Sequence, residues 1–192
     1  NPKGWEVRPL GEICDVRDGT HESPRYVDNG KFLLTSKNFK NGRISYEGAS
    51  NISEADFNAI NKRSKVDVGD IVMPMIGTVG NPIIIKNEPD FAIKNVALIK
   101  FTKDSPSNRY IHALLTSHYF DHVTLKANRG GTQKFLSLGD IRYIPVPIPD
   151  SSIQKTFVAI SKSFEATKEK FESHLEEVFF ASLQQRAFKG EL

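Results

Sequence analysis

The sequence predicts an α/β (α+β) globular domain followed by one long C-terminal α-helix. Short apolar runs, bounded by turns rich in Gly, Pro and Asn, recur through residues 1–149 and are typical of strands. From Ser151 to Lys189 the chain contains neither Gly nor Pro, and apolar residues recur there every seven positions. We therefore place the globular domain at residues 1–149 and the helix at residues 150–192.

The first third of the chain predicts a short strand and a polar turn. Trp5 and Leu10 are expected to pack on the core. Residues 18–24 are rich in turn formers, and the nearby acidic residues, Asp15, Asp18 and Glu22, are interpreted as part of such turns rather than as a catalytic set. The apolar run at residues 31–36 predicts a buried strand that ends in a polar tip.

The middle third predicts a short helix and a β-hairpin. Ser53 followed by Asp56 has helix-capping spacing, which predicts a helix through Ile60. Apolar runs at residues 71–76 and 83–85 flank a glycine-containing connection, so residues 70–86 should form a hairpin with a polar tip. Pro74 implies an edge position or a bulge. A Walker-type phosphate loop is excluded because no Lys-Ser/Thr pair follows the glycines.

The rest of the globular domain predicts a strand, a helix, a helical turn and an extended connector. The strand covers residues 96–101, and a helix over residues 108–122 is capped by Ser107. The inward face of this helix is formed by Ile111, Leu114, Leu115 and Tyr119. Residues 137–141 predict the helical turn, and the alternating prolines of residues 144–149 predict a stiff connector into the long helix.

His118 and His122 have the spacing of a zinc-binding pair. The glutamate that a zinc protease carries beside the first histidine is missing, however, and the sequence offers no third ligand. We therefore predict that this chain has no metal site and needs no cofactor.

Residues 126–134 form the densest run of side chains suited to nucleic acid. Arg129 could donate twice to guanine, Gln133 could pair with adenine, and Thr132 or Lys134 could hold a phosphate. Gly130 and Gly131 would let the backbone approach a ligand closely. A solvated hairpin explains the same composition equally well.

Composition and charge set outer limits on the class of protein. The single cysteine, Cys14, excludes an intramolecular disulfide and a multi-cysteine zinc site, so the cytoplasm is the expected location. No apolar run approaches the length of a membrane span. Residues 1–150 contain 20 Lys and Arg against 17 Asp and Glu, while residues 151–192 contain 6 of each. This mild excess of positive charge is only weak support for nucleic-acid binding.

The long helix carries a heptad pattern. Ser151 and Gln154 have capping-box spacing at its start. Its apolar seam comprises Ile153, Phe157, Ile160, Phe164, Phe171 and Val178, with Thr167 and His174 at weaker seam positions. At 1.5 Å per residue the helix would be roughly 55 Å long. We predict an antiparallel, two-fold coiled-coil homodimer; a helix folded back on its own domain is the alternative.

Several segments together resemble the specificity (S) subunits of type I restriction–modification enzymes. In order along the chain they are GWEV (4–7), LGEI (10–13), GDIVM (69–73), GTVGN (77–81), GTQKF (131–135), IPVPIP (144–149) and SLQQRAFKGEL (182–192). The resemblance covers essentially the whole chain. It implies a target-recognition domain at residues 1–149 and a conserved spacer and dimerisation helix at residues 150–192.

In this family S subunits carry no chemistry and position modification subunits on DNA. The resemblance therefore implies a non-catalytic protein whose partners are double-stranded DNA, modification (methyltransferase) subunits, a restriction subunit as a further candidate, and a second copy bound through the helix, with no membrane. Consistent with this, the chain lacks the Asn/Asp-Pro-Pro-Tyr/Phe motif of adenine methyltransferases and an acid-x-Lys nuclease motif. A complete family member has two recognition domains, so this chain is either a half-subunit that pairs with itself or a fragment.

If the polar loop tips form the DNA-reading edge, the candidate contacts follow from the sequence. They are Thr20, His21, Lys37, Asn38, Thr78, Asn81, Arg129, Gly131, Thr132, Gln133 and Lys134. A two-fold dimer would read an interrupted palindrome. The alternative functions are a dimeric coiled-coil protein-interaction module without a DNA role, and a hydrolase whose site the motifs do not reveal.

Overall fold

The computed structural model describes residues 3–40, 42–77, 80–124 and 135–188, with the side chains of the last range described through 168 and at 170, 171, 174 and 175. The chain divides into two compact units, Asn1–Asp150 and Ser151–Leu192. The first unit is a mixed α/β domain and the second is a helix. The predicted class, an α/β domain with a C-terminal helix, is thus confirmed.

The central layer of the first unit is an antiparallel sheet. In the described residues it contains β2 (Asp15–Asp18), β8 (Ile71–Pro74), β9 (Ile83–Ile84) and β11 (Val96–Lys100), in the order β2-β11-β8-β9. Ile71 pairs with Ile84 and Val72 with Ile83, so the predicted hairpin over residues 70–86 is confirmed. Pro74 is the last residue of β8: it pairs with Val96 of β11 and lies beyond the two residues of β8 that pair with β9. Among the described strands it therefore has a partner on one side only, as the predicted edge position requires.

A second sheet packs on this layer. It contains β3 (Tyr26–Val27), β4 (Lys31–Leu34), β7 (Ser50–Ile52) and β10 (Phe91–Ile93), in the order β10-β4-β7-β3 among the described residues. β10 runs parallel to β4, and the other pairings are antiparallel. A small ribbon of β5 (Phe39–Lys40) and β6 (Arg43–Ile44) follows the 3₁₀ turn Ser36–Asn38.

The core explains why the central strands look apolar along their whole length. Alternate residues of β8 and β11 face opposite sides: Ile71 and Met73 face one apolar cluster, whereas Val72 and Leu98 face another. The first cluster packs under the helices, and the second fills the space between the two sheets. A sheet buried on both faces needs apolar residues at every position, which removes the period-two signal.

Helices cover both outer faces. α3 (Asn108–Leu115), α4 (His118–Thr124) and α5 (Leu138–Arg142) contribute to the first cluster, as does the short α1 (Leu10–Ile13). α2 (Glu54–Ser64) packs Phe57 and Ile60 on the outer side of the second sheet. The Ser53 side chain accepts from the backbone N–H of Asp56, which confirms the predicted start of α2, although the helix ends four residues later than predicted.

The predicted helix over residues 108–122 is wrong, because the chain forms two helices there. The hydroxyl of Thr116 donates to the carbonyl of His112, and that of Ser117 donates to the carbonyl of Leu114. Side chains that bond back to helix carbonyls offer the backbone an alternative to a continued helix. Ser107 is the N-cap residue of α3, but its side chain makes no cap hydrogen bond. Ile111, Leu114 and Leu115 are buried as expected, whereas Tyr119 lies on α4 and is 37% exposed.

Two segments predicted as turn and connector are strands. Asp15–Asp18 is β2, paired with β11. The proline run contains β12 (Pro145–Ile148), which pairs with β1 (Glu6–Pro9). Among the described strands β12 pairs on one side only, with β1, and strands with an unpaired side are where prolines are tolerated. The carbonyl oxygens of Pro145 and Pro147 accept the hydroxyls of Tyr119 and Tyr110.

The second unit is α6, which spans Ser151–Phe188. The helix begins at Ser151 itself, whereas a capping residue at Ser151 would make residue 152 the first helical residue. Within the described part of the chain, no helix is long and apolar enough to cross a membrane.

Candidate nucleic-acid interface

Four strand ends of the first unit meet at one short turn. β2 and β8 both run antiparallel to β11, so their last residues lie beside its first residues: Asp18 opposite Ala97 and Pro74 opposite Val96. β10 ends next to these residues, because Lys94 and Asn95 connect it to β11. The end of β4 lies beside the end of β10, since the two strands are parallel. The loops that follow β2, β4 and β8 therefore emerge together at this strand-end edge.

The first of these loops carries Thr20 and His21. The backbone of Thr20 bridges to Lys94, and its N–H donates to the carbonyl of Ile93 at 3.0 Å. Gly19 is required just before it, because a Cβ at that position would lie 2.2 Å from the carbonyl oxygen of Ile93. Glycine thus allows the loop to leave the sheet in close contact with β10.

His21 lies between two oxygen atoms. Its Nδ1 is 2.7 Å from Oδ1 of Asn95, and its Nε2 is 2.6 Å from Oδ2 of Asp18. These contacts with Asn95 and Asp18 raise the pKa of His21. The other carboxylate oxygen of Asp18 accepts from the guanidinium of Arg63 at 3.0 Å.

The second loop carries Lys37 and Asn38, which have different environments. Lys37 is exposed on the 3₁₀ turn and lines a cleft together with Lys40, Gly77 and Asn95. Asn38 is only 4% exposed: its Oδ1 accepts the N–H of Thr35, and its Nδ2 donates to the carbonyl of Ser45 at 2.9 Å. The amide of Asn38 thus holds its own loop in place, so we do not propose it as a DNA contact.

The third loop, after β8, contains Asn81 and the bridge from Ile76 to Phe135. Asn81 is partly buried, and the preceding Gly80 has a positive φ of 89° and no room for a Cβ beside the ring of Phe120. Phe135 is 50% exposed and follows directly on residues 125–134. The candidates Thr78, Arg129, Gly131, Thr132, Gln133 and Lys134 lie outside the described residues.

Asn95 is the residue of this site that sequence reasoning missed. It has a positive φ of 54°, and its carbonyl accepts the hydroxyl of Ser36 at 3.3 Å. Asn tolerates this left-handed conformation better than other residues with a side chain. A Lys-Asn pair between two apolar runs was the available signal, since it marks a tight turn.

The described residues contain no metal-binding cluster, and the single cysteine is poorly suited to nucleophilic chemistry. Among them, no three His, Cys, Asp or Glu side chains are close enough to hold a metal ion. The side chain of His118 is fully exposed, 3.7 Å from Asp121. Cys14 is buried, and burial raises the pKa of its thiol to about 11, which makes it a poor nucleophile.

α6 presents an exposed apolar row. Ile153 is 43% exposed, Ile160 65%, Phe164 70% and Phe171 64%, while Phe157 is partly buried. The side chain of Val178 lies outside the described part. At the weaker seam position Thr167, the hydroxyl donates to the carbonyl of Ser163, so its hydrogen is already bonded within the helix. Leu175, 51% exposed and four residues after Phe171, belongs to the same row and was missed because the strict heptad selects His174.

Comparison with known proteins identifies relatives of this arrangement. The model of the family described as type I restriction modification DNA specificity domain matches residues 2–178. No curated protein sequence matches the chain.

Three solved structures share the fold. A chain in a structure of the complex assembly and conformational transition of the type I R-M system is 22% identical, with a TM-score of 0.59, over 100% of this chain and 47% of that one. The HsdS subunit from Thermoanaerobacter tengcongensis is 20% identical, with a TM-score of 0.56, over 100% and 46%. The S subunit of a type I restriction-modification system from M. genitalium is 13% identical, with a TM-score of 0.57, over 88% and 41%. The chain thus spans less than half of each.

Proposed function

Since the chain belongs to the family of type I restriction modification DNA specificity domains, a family of non-catalytic DNA-recognition domains, we propose that it reads a specific duplex sequence and positions modification subunits on it. The target-recognition domain is residues 1–149, all of which belong to the first unit, and residues 150–192 are the spacer and dimerisation helix. A restriction subunit is a further partner of the same assembly.

The observation that carries this proposal is the convergence of three polar loops at the strand-end edge. Thr20, Lys37 and Asn81 come from loops after three different strands, yet all three loops leave the sheets beside the turn at Asn95. Loops fixed on a rigid scaffold are the usual place for binding residues. Phe135, the first described residue after the segment 125–134, pairs with Ile76 of the loop after β8.

The candidate DNA contacts divide into residues that read bases and residues that bind phosphates. Arg129 and Gln133 are the base readers, because their side chains can form two hydrogen bonds to one base. Lys37 and Lys134 bind phosphates, with Thr20, Thr78, Asn81, Gly131 and Thr132 as supporting contacts to the backbone. Phosphate contacts fix the register of the protein on DNA, and base contacts give specificity.

The second unit provides the surface that binds a second copy of the chain. An apolar row with five large side chains 43–70% exposed favours burial against an equivalent row. A second copy in antiparallel orientation buries the same row twice and closes the symmetry. The two recognition domains then read inverted half-sites, so the target is an interrupted palindrome.

The decisive experiment maps DNA methylation with the chain and its modification subunit expressed together. A methylated, interrupted palindrome is expected, and it should disappear when this chain is omitted. Uniform or absent methylation would contradict DNA recognition, whereas an asymmetric bipartite site would contradict self-pairing only.

Binding measurements then divide the roles. Arg129→Ala and Gln133→Ala should each weaken binding to the mapped site more than to random duplex, by about 1–3 kcal/mol. Lys37→Ala and Lys134→Ala should weaken both alike and reduce the salt dependence. Equal effects of all four substitutions on both duplexes would reverse the assignment of base readers.

The apolar row on α6 also favours a second function, a dimeric coiled-coil interaction module without a DNA role. Such a module would dimerise but would show no salt-dependent preference for one duplex sequence. The binding measurements above therefore separate the two functions.

A further inference from the structure

Asn95 contacts two loops of the strand-end edge at once. Its Oδ1 lies 2.7 Å from Nδ1 of His21, and its backbone N–H donates to the carbonyl of Thr20 at 3.2 Å. Its own carbonyl accepts the hydroxyl of Ser36. The loop after β2 and the loop after β4 are therefore joined through one residue, which also lines the cleft that contains Lys37.

The contacts of His21 favour its protonated form. A carboxylate oxygen and an amide oxygen face the two ring nitrogens, and both oxygens are hydrogen-bond acceptors. The ring satisfies both contacts when each nitrogen carries a proton, which is the imidazolium form. With both donors used inside the protein, His21 has none left for a base.

The charges around His21 come from β2, from α2, from its own loop and from the turn that contains Lys94. Asp18 on β2 faces the ring directly, and Arg63 on α2 holds the other oxygen of Asp18. Glu22 and Asp56 line the same cleft as His21. Lys94, on the turn, donates to Ser23 in the same loop at 2.6 Å.

We propose that Asn95 and protonated His21 form a clasp that positions the loops carrying Thr20 and Lys37, and that the sequence preference of the chain weakens as His21 loses its proton. This inference rests on the proposed function. It makes His21 a positioning residue instead of the direct DNA contact that the sequence suggested, and it adds Asn95 as a specificity determinant.

The sign of the pH dependence follows from the contacts. The folded protein favours the protonated ring, so the pKa of His21 lies above its ordinary value. The contribution of the clasp is complete below about pH 6.5, the ordinary pKa of histidine, and it is lost as pH rises through the raised value. Sequence preference should follow the same curve.

The first test measures the clasp without DNA. NMR titration of the ring of His21 should give a raised pKa in the wild-type chain, a lower one in Asn95→Gly and a still higher one in Asn95→Asp. Glycine accepts the left-handed backbone, so Asn95→Gly removes the side chain without strain. Asn87→Gly, in an exposed loop, is the matched control and should leave the titration unchanged. An unshifted His21 in the wild type, or no response to Asn95→Gly, would overturn the clasp.

The second test uses a randomised duplex pool from which bound molecules are sequenced. Asn95→Gly should reduce enrichment of the wild-type motif roughly tenfold, the loss expected for one charge-assisted hydrogen bond, and Asn95→Asp should retain it. His21→Gln should remove the pH dependence of enrichment, whereas His122→Gln, at an exposed position, should keep it. Full enrichment by Asn95→Gly would overturn the role in specificity. A wild-type chain that enriches no motif would instead contradict the proposed function, while the NMR result would still decide the clasp.

Discussion

The hydroxyl of Tyr110 donates a 2.6 Å hydrogen bond to the carbonyl of Pro147, linking α3 to a strand 37 residues further along the chain. Tyr119 makes the equivalent bond to Pro145 at 2.9 Å. β12 pairs only with the four residues of β1 among the described strands, so these two tyrosines supply partners that a wider sheet would provide.

Tyr110→Phe should lower the free energy of unfolding by about 1 kcal/mol, because it leaves a partly buried carbonyl without its donor. Tyr143→Phe is the matched control, since Tyr143 is 79% exposed and its hydroxyl can remain in water. Urea denaturation followed by circular dichroism measures both. Equal stability of Tyr110→Phe and the wild type would show that the bond contributes nothing net.

Lys100→Met should be far more damaging than the loss of a surface pair. Lys100 lies 2.8 Å from Asp67 and 2.5 Å from Asp70, and the side chain of Asp70 is only 7% exposed. Removing the cation leaves a buried carboxylate unpaired, which costs about 3–5 kcal/mol. Lys31→Met breaks the pair with Asp90, which is 72% exposed, and should cost less than about 1 kcal/mol. Comparable losses in the two variants would contradict this ranking.

The stability of Lys100→Met should also depend on pH differently from that of the wild type. Burial raises the pKa of Asp70, while Lys100 opposes that shift. Without Lys100 the folded state favours the protonated carboxyl of Asp70 more strongly. The variant therefore keeps its stability below about pH 4, the ordinary pKa of aspartate, and loses it as pH rises through the raised pKa of Asp70. Denaturation midpoints of Lys100→Met should therefore approach those of the wild type in acid. A deficit that is constant with pH would mean that Asp70 is not the damaged group.

Local signals predicted the elements whose stabilising contacts are local. The start of α2 depends on Ser53 and Asp56, and the capping box of α5 depends on Ser137 and Asp140, each pair three residues apart. The hairpin over residues 70–86 is likewise defined by its own turn and strands.

Elements that depend on distant partners were missed. β2 is a strand because it pairs with β11, roughly 80 residues away, and its Asp-Val-Arg-Asp sequence has little strand propensity. The candidate site follows the same rule: the sequence indicates separate polar tips, but only the pairing of β2, β4, β8 and β10 around Asn95 brings their loops together.

Phe164→Glu should dissociate the proposed homodimer. Phe164 is 70% exposed on α6, and in an antiparallel pair its replacement would place unpaired carboxylates in an apolar seam. Ala166→Glu adds the same charge to an exposed position two residues away, off the seam, and should leave the dimer intact. Multi-angle light scattering distinguishes the two states. A wild-type chain that is monomeric at micromolar concentration would rule out the self-paired seam.

Insertion of seven residues between Phe164 and Phe171 should change the spacing of the DNA target without breaking the dimer. A heptad keeps the apolar seam in register, because seven residues return each seam position to the same helix face. It also lengthens the helix by about 10 Å, or roughly three base pairs at 3.4 Å each. Methylation mapping with the modification subunit should then report the same half-sites separated by a longer gap. A five-residue insertion is the control: at 3.6 residues per turn it rotates the later seam positions by roughly 140° away from that face, so dimerisation and the palindrome should both be lost. If the heptad insertion left the gap unchanged, the helix would not set the distance between half-sites, and the spacer role proposed for residues 150–192 would have to be abandoned.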